Sequence, residues 1–277
     1  MIGHIKITNE EFMLISRLVY QKFGIKLSEK KRALVVNRLH KVLYLGKFHS
    51  FTEYYNYVIQ EPSGRALLTL VDQISTNHTY FFREKDHFDY FTTEALPRIT
   101  EILHKKNKKD LRIWCAGCSS GEEPYTLAMI ISNYFSDTHL KINIGILATD
   151  ISISALDKAK AGIYPADRLS QIPPVYRQRH FRPLSNGSWE VKQSLREMVL
   201  FRRLNLIRPD YPFKGLFQAV FCRNVMIYFD QTTQQALVER FHRYTEPGGY
   251  LFIGHSESID RSSGLYKYVQ PSIYQRI

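Results

Sequence analysis

The chain carries only three cysteines in 277 residues, too few for a disulfide framework and odd in number, as suits a reducing compartment. Its 14 glycines and 11 prolines exclude a collagen-like repeat and a low-complexity chain. No window holds the ~18 uncharged apolar residues that a membrane span needs. The N-terminal stretch through Ile5, Ile7 and Phe12 lacks the apolar core of a secretory signal. A cytoplasmic protein without membrane insertion is therefore expected. Acidic residues are the scarce charge, 26 against 38 basic ones, for a net charge of +12. Such a surface attracts polyanions, which include nucleic acid, anionic lipid and an acidic protein face, and charge alone does not choose among them. The remainder is ordinary: 44% hydrophobic and 13% aromatic residues bury a sizeable core in one or two domains.

Residues 1–85 read as short helices. Thr8-Asn9-Glu10-Glu11 forms a capping box, after which Phe12, Ile15, Val19 and Phe23 recur at helical spacing up to Gly24. Ser28 is expected to cap a second, basic helix ending near Gly46. Ser50-Phe51-Thr52-Glu53 opens a third, aromatic one, and Ala66 to Ile74 reads as a fourth. From residue 86 to 277 the texture changes. Asp86 is expected to cap a long helix towards His104. The apolar run Leu111–Ala116, the small-residue loop Gly117–Gly121, a helix from Glu122 and a second apolar run ending at Asp150 then make a βαβ unit, hence a parallel sheet. Further strands fit Val199–Asn205, Phe217–Arg223 and Tyr250–His255, and Leu265–Val269 with Ile273–Ile277 read as a terminal antiparallel hairpin. Between about 175 and 203 the alternation pauses. Arg179–Leu184, Trp189–Gln193 and Arg196–Phe201, with Asn186-Gly187 as a turn, suggest a small inserted β-subdomain.

Trp114-Cys115-Ala116-Gly117-Cys118 has the spacing of a thiol redox site, but Glu122 and Glu123 just downstream oppose thiolate formation. Only Cys222 remains as a further thiol, and the histidines lack paired ligand spacing, so no metal is expected. The same loop reads better as a cofactor cradle. It is neither G-x-G-x-x-G nor a phosphate loop with its Lys, and glutamates at a helix start repel pyrophosphate but suit a cationic ligand. Asp150 at a strand end can accept hydrogen bonds from ribose hydroxyls. Ribose with a positive centre points to S-adenosylmethionine.

Six segments then resemble, in order, the motifs of the bacterial chemoreceptor methyltransferases, the CheR family. They are Asn77-His78-Thr79-Tyr80-Phe81-Phe82-Arg83-Glu84, Ser119-Ser120-Gly121-Glu122-Glu123-Pro124-Tyr125, Ala148-Thr149-Asp150-Ile151, Asn205-Leu206, Cys222-Arg223-Asn224-Val225-Met226-Ile227-Tyr228-Phe229 and Gly254-His255-Ser256-Glu257. The resemblance implies a Rossmann-like α/β S-adenosylmethionine-dependent domain behind an all-helical N-terminal domain. It also implies methyl transfer to glutamate side chains on the cytoplasmic helices of chemoreceptors, with S-adenosylhomocysteine as product. By motif, Asn77, Thr79, Arg83, Glu122, Asp150, Asn205, Leu206, Arg223 and Asn224 would line the cofactor site. Tyr228 would stand beside the transferred methyl, and Arg98 is expected to steer the substrate carboxylate. No nucleophile constellation is needed, because glutamate, with a pKa of ~4.3, is already ionised.

The cations Lys30, Lys31, Arg32, Arg38 and Lys41 lie mostly away from Leu34, Leu39 and Val42, and are read as a face that docks the receptor's acidic methylation region. The alternative is an RNA methyltransferase using this basic domain, against which the strand ending Arg223-Asn224-Val225-Met226 lacks the Asn/Asp-Pro-Pro-Tyr/Phe of amino-group methylation. No nucleic-acid partner and a monomer are expected. Some members of the family grip a receptor's C-terminal peptide through a longer Gly-rich loop in the β-subdomain. Here only Pro183 to Ser188 is available, so that tether is not expected.

Overall fold

A computed structural model describes residues 5–136, 138 and 140–277. Four helices, α1 (Asn9–Phe23), α2 (Arg32–Leu45), α3 (Phe51–Gln60) and α4 (Arg65–Ile74), make the N-terminal domain. The capping box forms as read: Thr8 Oγ1 accepts from the Glu11 N–H at 3.2 Å, and the Glu11 carboxylate accepts from the Thr8 N–H at 2.9 Å. Glu11 also accepts from the Thr52 N–H and hydroxyl, at 2.8 and 2.9 Å, tying α1 to α3. Ser28 makes no side-chain cap; a 3-10 turn, Glu29–Lys31, leads into α2 instead. Phe12, Ile15, Val35, Leu39, Phe51 and Val71 are among the residues of one apolar core.

The second domain opens with α5 (Lys85–Tyr90) and α6 (Leu96–Lys105), fused through a π-helical turn at Phe91–Ala95. The expected Asp86 cap is not used; the helix starts after Glu84, which is left-handed at φ 55°. There follow β1 (Asp110–Ala116), α7 (Glu122–Ser136), β2 (Asn143–Asp150), α8 (Ile153–Ala161), β3 (Ile163–Pro165), α9 (Pro174–His180), β4 (Phe181–Pro183), β5 (Ser188–Val191) and α10 (Gln193–Arg196). The chain ends with β6 (Val199–Arg203), β7 (Phe217–Cys222), α11 (Gln231–Tyr244), β8 (Thr245–Ile253), β9 (Tyr266–Gln270) and β10 (Ile273–Arg276). Seven strands pair in the order β6-β2-β1-β7-β8-β10-β9, parallel from β6 through β8 and antiparallel in the terminal hairpin. The parallel part is the sheet expected from the βαβ pattern, and the whole is the Rossmann-like arrangement that the resemblance implied.

The β insertion differs from its reading. Its antiparallel sheet is β3-β5-β4, so the third strand comes from Ile163–Pro165. Val199–Arg203 pairs with β2 in the main sheet, as the strand read at Val199–Asn205 implied, so the overlapping Arg196–Phe201 is no strand of the insertion, and Arg179-His180 closes α9. A short apolar run supports either pairing, and only the crossover through α8 decides between them. Both faces of the main sheet are covered. Cys115 and Phe221 belong to one apolar cluster, with the Phe221 and Phe252 rings stacked at 4.2 Å. Trp114, Val220 and Phe241 belong to the other.

Two buried histidines make this fold acid-sensitive. Burial lowers His87 and His180 from 6.5 to about 4. A lowered folded pKa means that the unfolded chain binds more protons between the two values, so stability falls as pH drops from about 6.5 to about 4. His180 Nε2 contacts Asn133 Oδ1 at 2.9 Å. His180→Gln is expected to gain roughly 1–2 kcal/mol on the wild type between pH 7 and pH 5, measured by urea unfolding at both. An identical pH dependence in the two proteins would show that His180 is not held neutral.

Candidate functional site

The parallel strands β1, β2, β6 and β7 end at one edge of the sheet, at the crevice where ligands bind in such folds. A cleft with about 1390 Å³ of empty space, its solvent mouth included, opens there. After β1 the chain turns through Gly117, at φ +94°, where a Cβ would come within 2.3 Å of Val225. The N–H groups of Gly117 and Cys118 both donate to the Thr149 carbonyl, at 2.7 and 2.9 Å, hanging this loop on β2. Ser119, at φ 48°, then aims its N–H at Asp150 Oδ2, 2.8 Å away, while Asp150 Oδ1 accepts from the Ser152 N–H at 2.9 Å. Burial raises the Asp150 carboxyl above its ordinary value, against these N–H bonds. The Ser119 hydroxyl, buried and without a partner among the described residues, belongs to a residue lining the same cleft. A carboxylate, that hydroxyl and the apolar surfaces of Phe23, Ile25, Leu206 and Phe229 fit a nucleoside with a positive centre better than a polyphosphate.

The floor is an ionic hub. Arg223, its side chain only 2% exposed, donates to Glu123 Oε2 at 3.0 Å and to Glu84 Oε2 at 3.1 Å, and also binds the Arg83 carbonyl. Asn224 Nδ2 donates to the other Glu84 oxygen at 3.1 Å. Burial alone would raise the Glu84 carboxyl, but Arg223 and Asn224 outweigh it and hold it below its ordinary range. For Glu123 burial wins over Arg223, and its carboxyl sits above that range. Phe82, Glu84, Ser119 and Asn224 all have positive φ, so backbone strain gathers around this hub. His87, buried against Glu84 with 3.5 Å between Nδ1 and Oε2, belongs to a possible metal-ligating trio with Glu84 and His255. Glu84 Oε2, the oxygen nearest His87, already accepts from Arg223 at 3.1 Å.

The N-terminal domain roofs the cleft. Lys26 N–H donates to the Tyr228 carbonyl at 2.9 Å, the Asn205 amide to the Lys22 carbonyl at 2.8 Å, and the Tyr20 hydroxyl to Asp230 at 2.5 Å. Lys31 Nζ lies 4.9 Å from the Tyr228 ring centroid, and burial lowers its pKa.

Of the residues singled out in the sequence, Asn77, Thr79, Arg83, Asp150, Asn205, Leu206, Arg223, Asn224 and Tyr228 all line this cleft. Glu122 does not. It is buried, accepting from Ser120 Oγ at 2.7 Å, while its neighbour Glu123 faces the cleft. Arg98 sits on α6 near Tyr90 and Glu101, outside the cleft; the arginines within it are Arg83 and Arg223. The basic face divides. Arg38 donates to the carbonyls of Gln73, Ile74 and Ser75 (3.3, 2.7 and 2.9 Å), capping α4. Arg32 pairs with Glu29 and covers Phe12, and Lys31 turns into the cleft. Lys30 and Lys41 stay exposed. Cys115 and Cys118 are fully buried, and burial pushes both thiols well above their ordinary pKa, as expected of packing residues.

A model of the CheR methyltransferase SAM-binding domain matches residues 77–274, and one of the CheR all-alpha domain matches residues 10–75. A chemotaxis protein methyltransferase of Borreliella burgdorferi is 44% identical over 273 residues, covering 99% of this chain and 96% of that protein. Chemotaxis protein methyltransferase 2 of Pseudomonas aeruginosa is 36% identical over 272 residues, 96% of this chain and 93% of its own. The chemotaxis protein methyltransferase of Escherichia coli is 36% identical over 262 residues, 94% of this chain and 88% of its own.

Proposed function

This chain belongs to the CheR methyltransferase family, and from that premise we propose that it transfers methyl from S-adenosylmethionine to glutamate side chains on the cytoplasmic helices of chemoreceptors. The observation that carries this reading is the convergence of Asp150, the Arg223 hub and Tyr228 on one cleft roofed by a cationic helical domain. When bound, S-adenosylmethionine supplies a methyl on a sulfonium, an electrophile that needs no further activation. The chain's own groups therefore bind, orient and exclude water, work worth ~7–11 kcal/mol when alignment is good. Asp150 and Ser119 hold the ribose, and Asn205 and Leu206 border the base. The carboxylates of Glu84 and Glu123, balanced by Arg223, favour the cationic end. Tyr228 and Lys31 form the mouth, where Lys31 attracts the substrate carboxylate and Tyr228 excludes water. A glutamate at neutral pH needs no base.

Receptor fragment incubated with methyl-labelled cofactor should take up label that mild alkali releases as methanol, the behaviour of a carboxyl ester. Alkali-stable label, or label entering RNA instead, would sink the proposal. Docking rests on the cations without internal work, Lys30 in the 3-10 turn before α2 and Lys41 on α2. Reversing both to Glu is expected to raise the receptor KM about three- to tenfold and flatten its salt dependence. S-adenosylhomocysteine affinity should stay put in calorimetry. An unchanged KM at low salt removes this face from docking.

A further inference from the structure

Glu257 has no role in the reading so far, yet its carboxylate sits under the loop that carries Tyr228. Oε2 accepts from the Gly254 N–H at 2.6 Å and the Asn224 N–H at 3.0 Å, and Oε1 accepts from the Ile227 N–H at 3.2 Å. The Glu257 N–H donates to the Gly254 carbonyl at 2.9 Å, closing a tight turn after β8. One side chain thus gathers three backbone donors from two segments far apart in sequence. The loop it holds has an unusual backbone. Asn224 is left-handed at φ 58°, a conformation Asn tolerates better than most residues. Gly254 presses so closely that a Cβ there would lie 2.5 Å from Asn224 Nδ2 and 2.8 Å from its nitrogen. Beyond Asn224 the chain makes a 3-10 turn, Met226–Tyr228, and the Gln234 amide donates to the Met226 carbonyl at 2.8 Å. The backbone on either side of the Tyr228 Cα is held by Glu257 at the Ile227 N–H and by the Lys26 N–H at the Tyr228 carbonyl, and the Tyr228 hydroxyl donates to the Thr76 carbonyl at 3.4 Å.

We propose that Glu257 is a positioning residue for methyl transfer: its carboxylate, by binding the Asn224, Ile227 and Gly254 N–H groups together, sets the Asn224–Tyr228 loop so that Tyr228 closes the cleft mouth. This rests on the proposed reaction and on Tyr228 acting at its mouth. A carboxylate is needed because all three partners are donors. An amide in its place turns an NH2 toward one of them, while an oxygen remains for the others. Asp150, at the end of β2, and Asn205, after β6, lie outside this loop, so the ribose and base contacts proposed for them should be largely spared.

The test uses the full chain, a receptor cytoplasmic fragment and S-adenosylhomocysteine. Glu257→Gln is expected to lower kcat about 10- to 100-fold, the scale of an ångström of misplacement, while receptor KM and S-adenosylhomocysteine Kd move less than about threefold. Glu257→Asp, which keeps both oxygens on a shorter arm, should recover part of the rate. It also decides the question should the Gln variant fail to fold, seen as a lost far-UV circular dichroism signal. On a Tyr228→Ala background, Glu257→Gln should cost almost nothing more, because the two act as one unit. The same rate loss on both backgrounds, or a loss confined to Kd, overturns the proposal. Failure of the wild type to methylate receptor would instead strike the functional reading itself.

Discussion

Arg223→Met should lower the stability of the chain by about 3–5 kcal/mol, the cost of breaking a buried ion pair by removing one partner, and should abolish methyl transfer with it. The guanidinium is nearly sealed from solvent and stands between two carboxylates that are themselves only 12–13% exposed. It also lies 5.0 Å from the Phe88 ring centroid, so its removal strips a packed cation from an aromatic face. Methionine roughly fills the volume but leaves Glu84 and Glu123 as adjacent, uncompensated negative charges. Both would then ionise only above their unfolded values. A raised folded pKa makes the penalty complete at high pH and relieves it as pH falls through that pKa, so the destabilisation should shrink between pH 7 and pH 5. Adding Glu84→Gln and Glu123→Gln should recover much of the stability and none of the activity. Urea unfolding at the two pH values reads this directly. A loss below about 1 kcal/mol at pH 7 would mean that water reaches the hub and that the ion pairs are ordinary surface ones.

Local chemistry made much of this site legible. Capping at Thr8 and Ser50 depends on residues three apart, and the helices start where those pairs stand. The apolar run, small loop and helix after Leu111 gave β1, its turn and α7, and the Asp after the second run stands where a parallel sheet brings it beside that turn. What stayed hidden was decided by distant partners. Glu122 and Glu123 are adjacent, and a helix points adjacent side chains ~100° apart, so the two diverge, here one into the core and one to the cleft. Which is which depends on Arg223, 100 residues on. Arg38 reads as a surface cation, yet the free carbonyls ending α4 capture it. The left-handed Phe82 and Glu84 break every propensity rule, and nothing local announces them. They are held by the Thr126 hydroxyl and by the Arg223 hub, both far along the chain. Arg98 had only its charge to recommend it, and it sits on α6 outside the cleft.

The other large effect is expected at Asp150. Its two oxygens already accept backbone N–H groups from Ser119 and Ser152, at 2.8 and 2.9 Å, so the loop after β1 and the turn after β2 are tied to one carboxylate. Each oxygen keeps a lone pair, and these are what ribose hydroxyls would meet. Asp150→Ala should therefore weaken S-adenosylhomocysteine binding by about 1–3 kcal/mol for the lost charge-assisted bonds, roughly 5- to 150-fold. The pH dependence separates this contribution from a general loosening of the loop. Burial, with the Asp72 charge nearby adding to it, holds the Asp150 carboxyl above its ordinary 3.8 despite the N–H bonds. Protonation removes an acceptor, so wild-type affinity should fall as pH drops through that raised value. The alanine variant has no such group and should show no such step. Asp150→Asn should lie close to alanine, because its NH2 must face either the Ser119 or the Ser152 N–H, donor against donor. Calorimetry at pH 7.5 and pH 5 on the three proteins makes the comparison. If all three bind alike at pH 7.5, Asp150 merely braces the Gly117–Ser119 turn, and the ribose must be held elsewhere in the cleft.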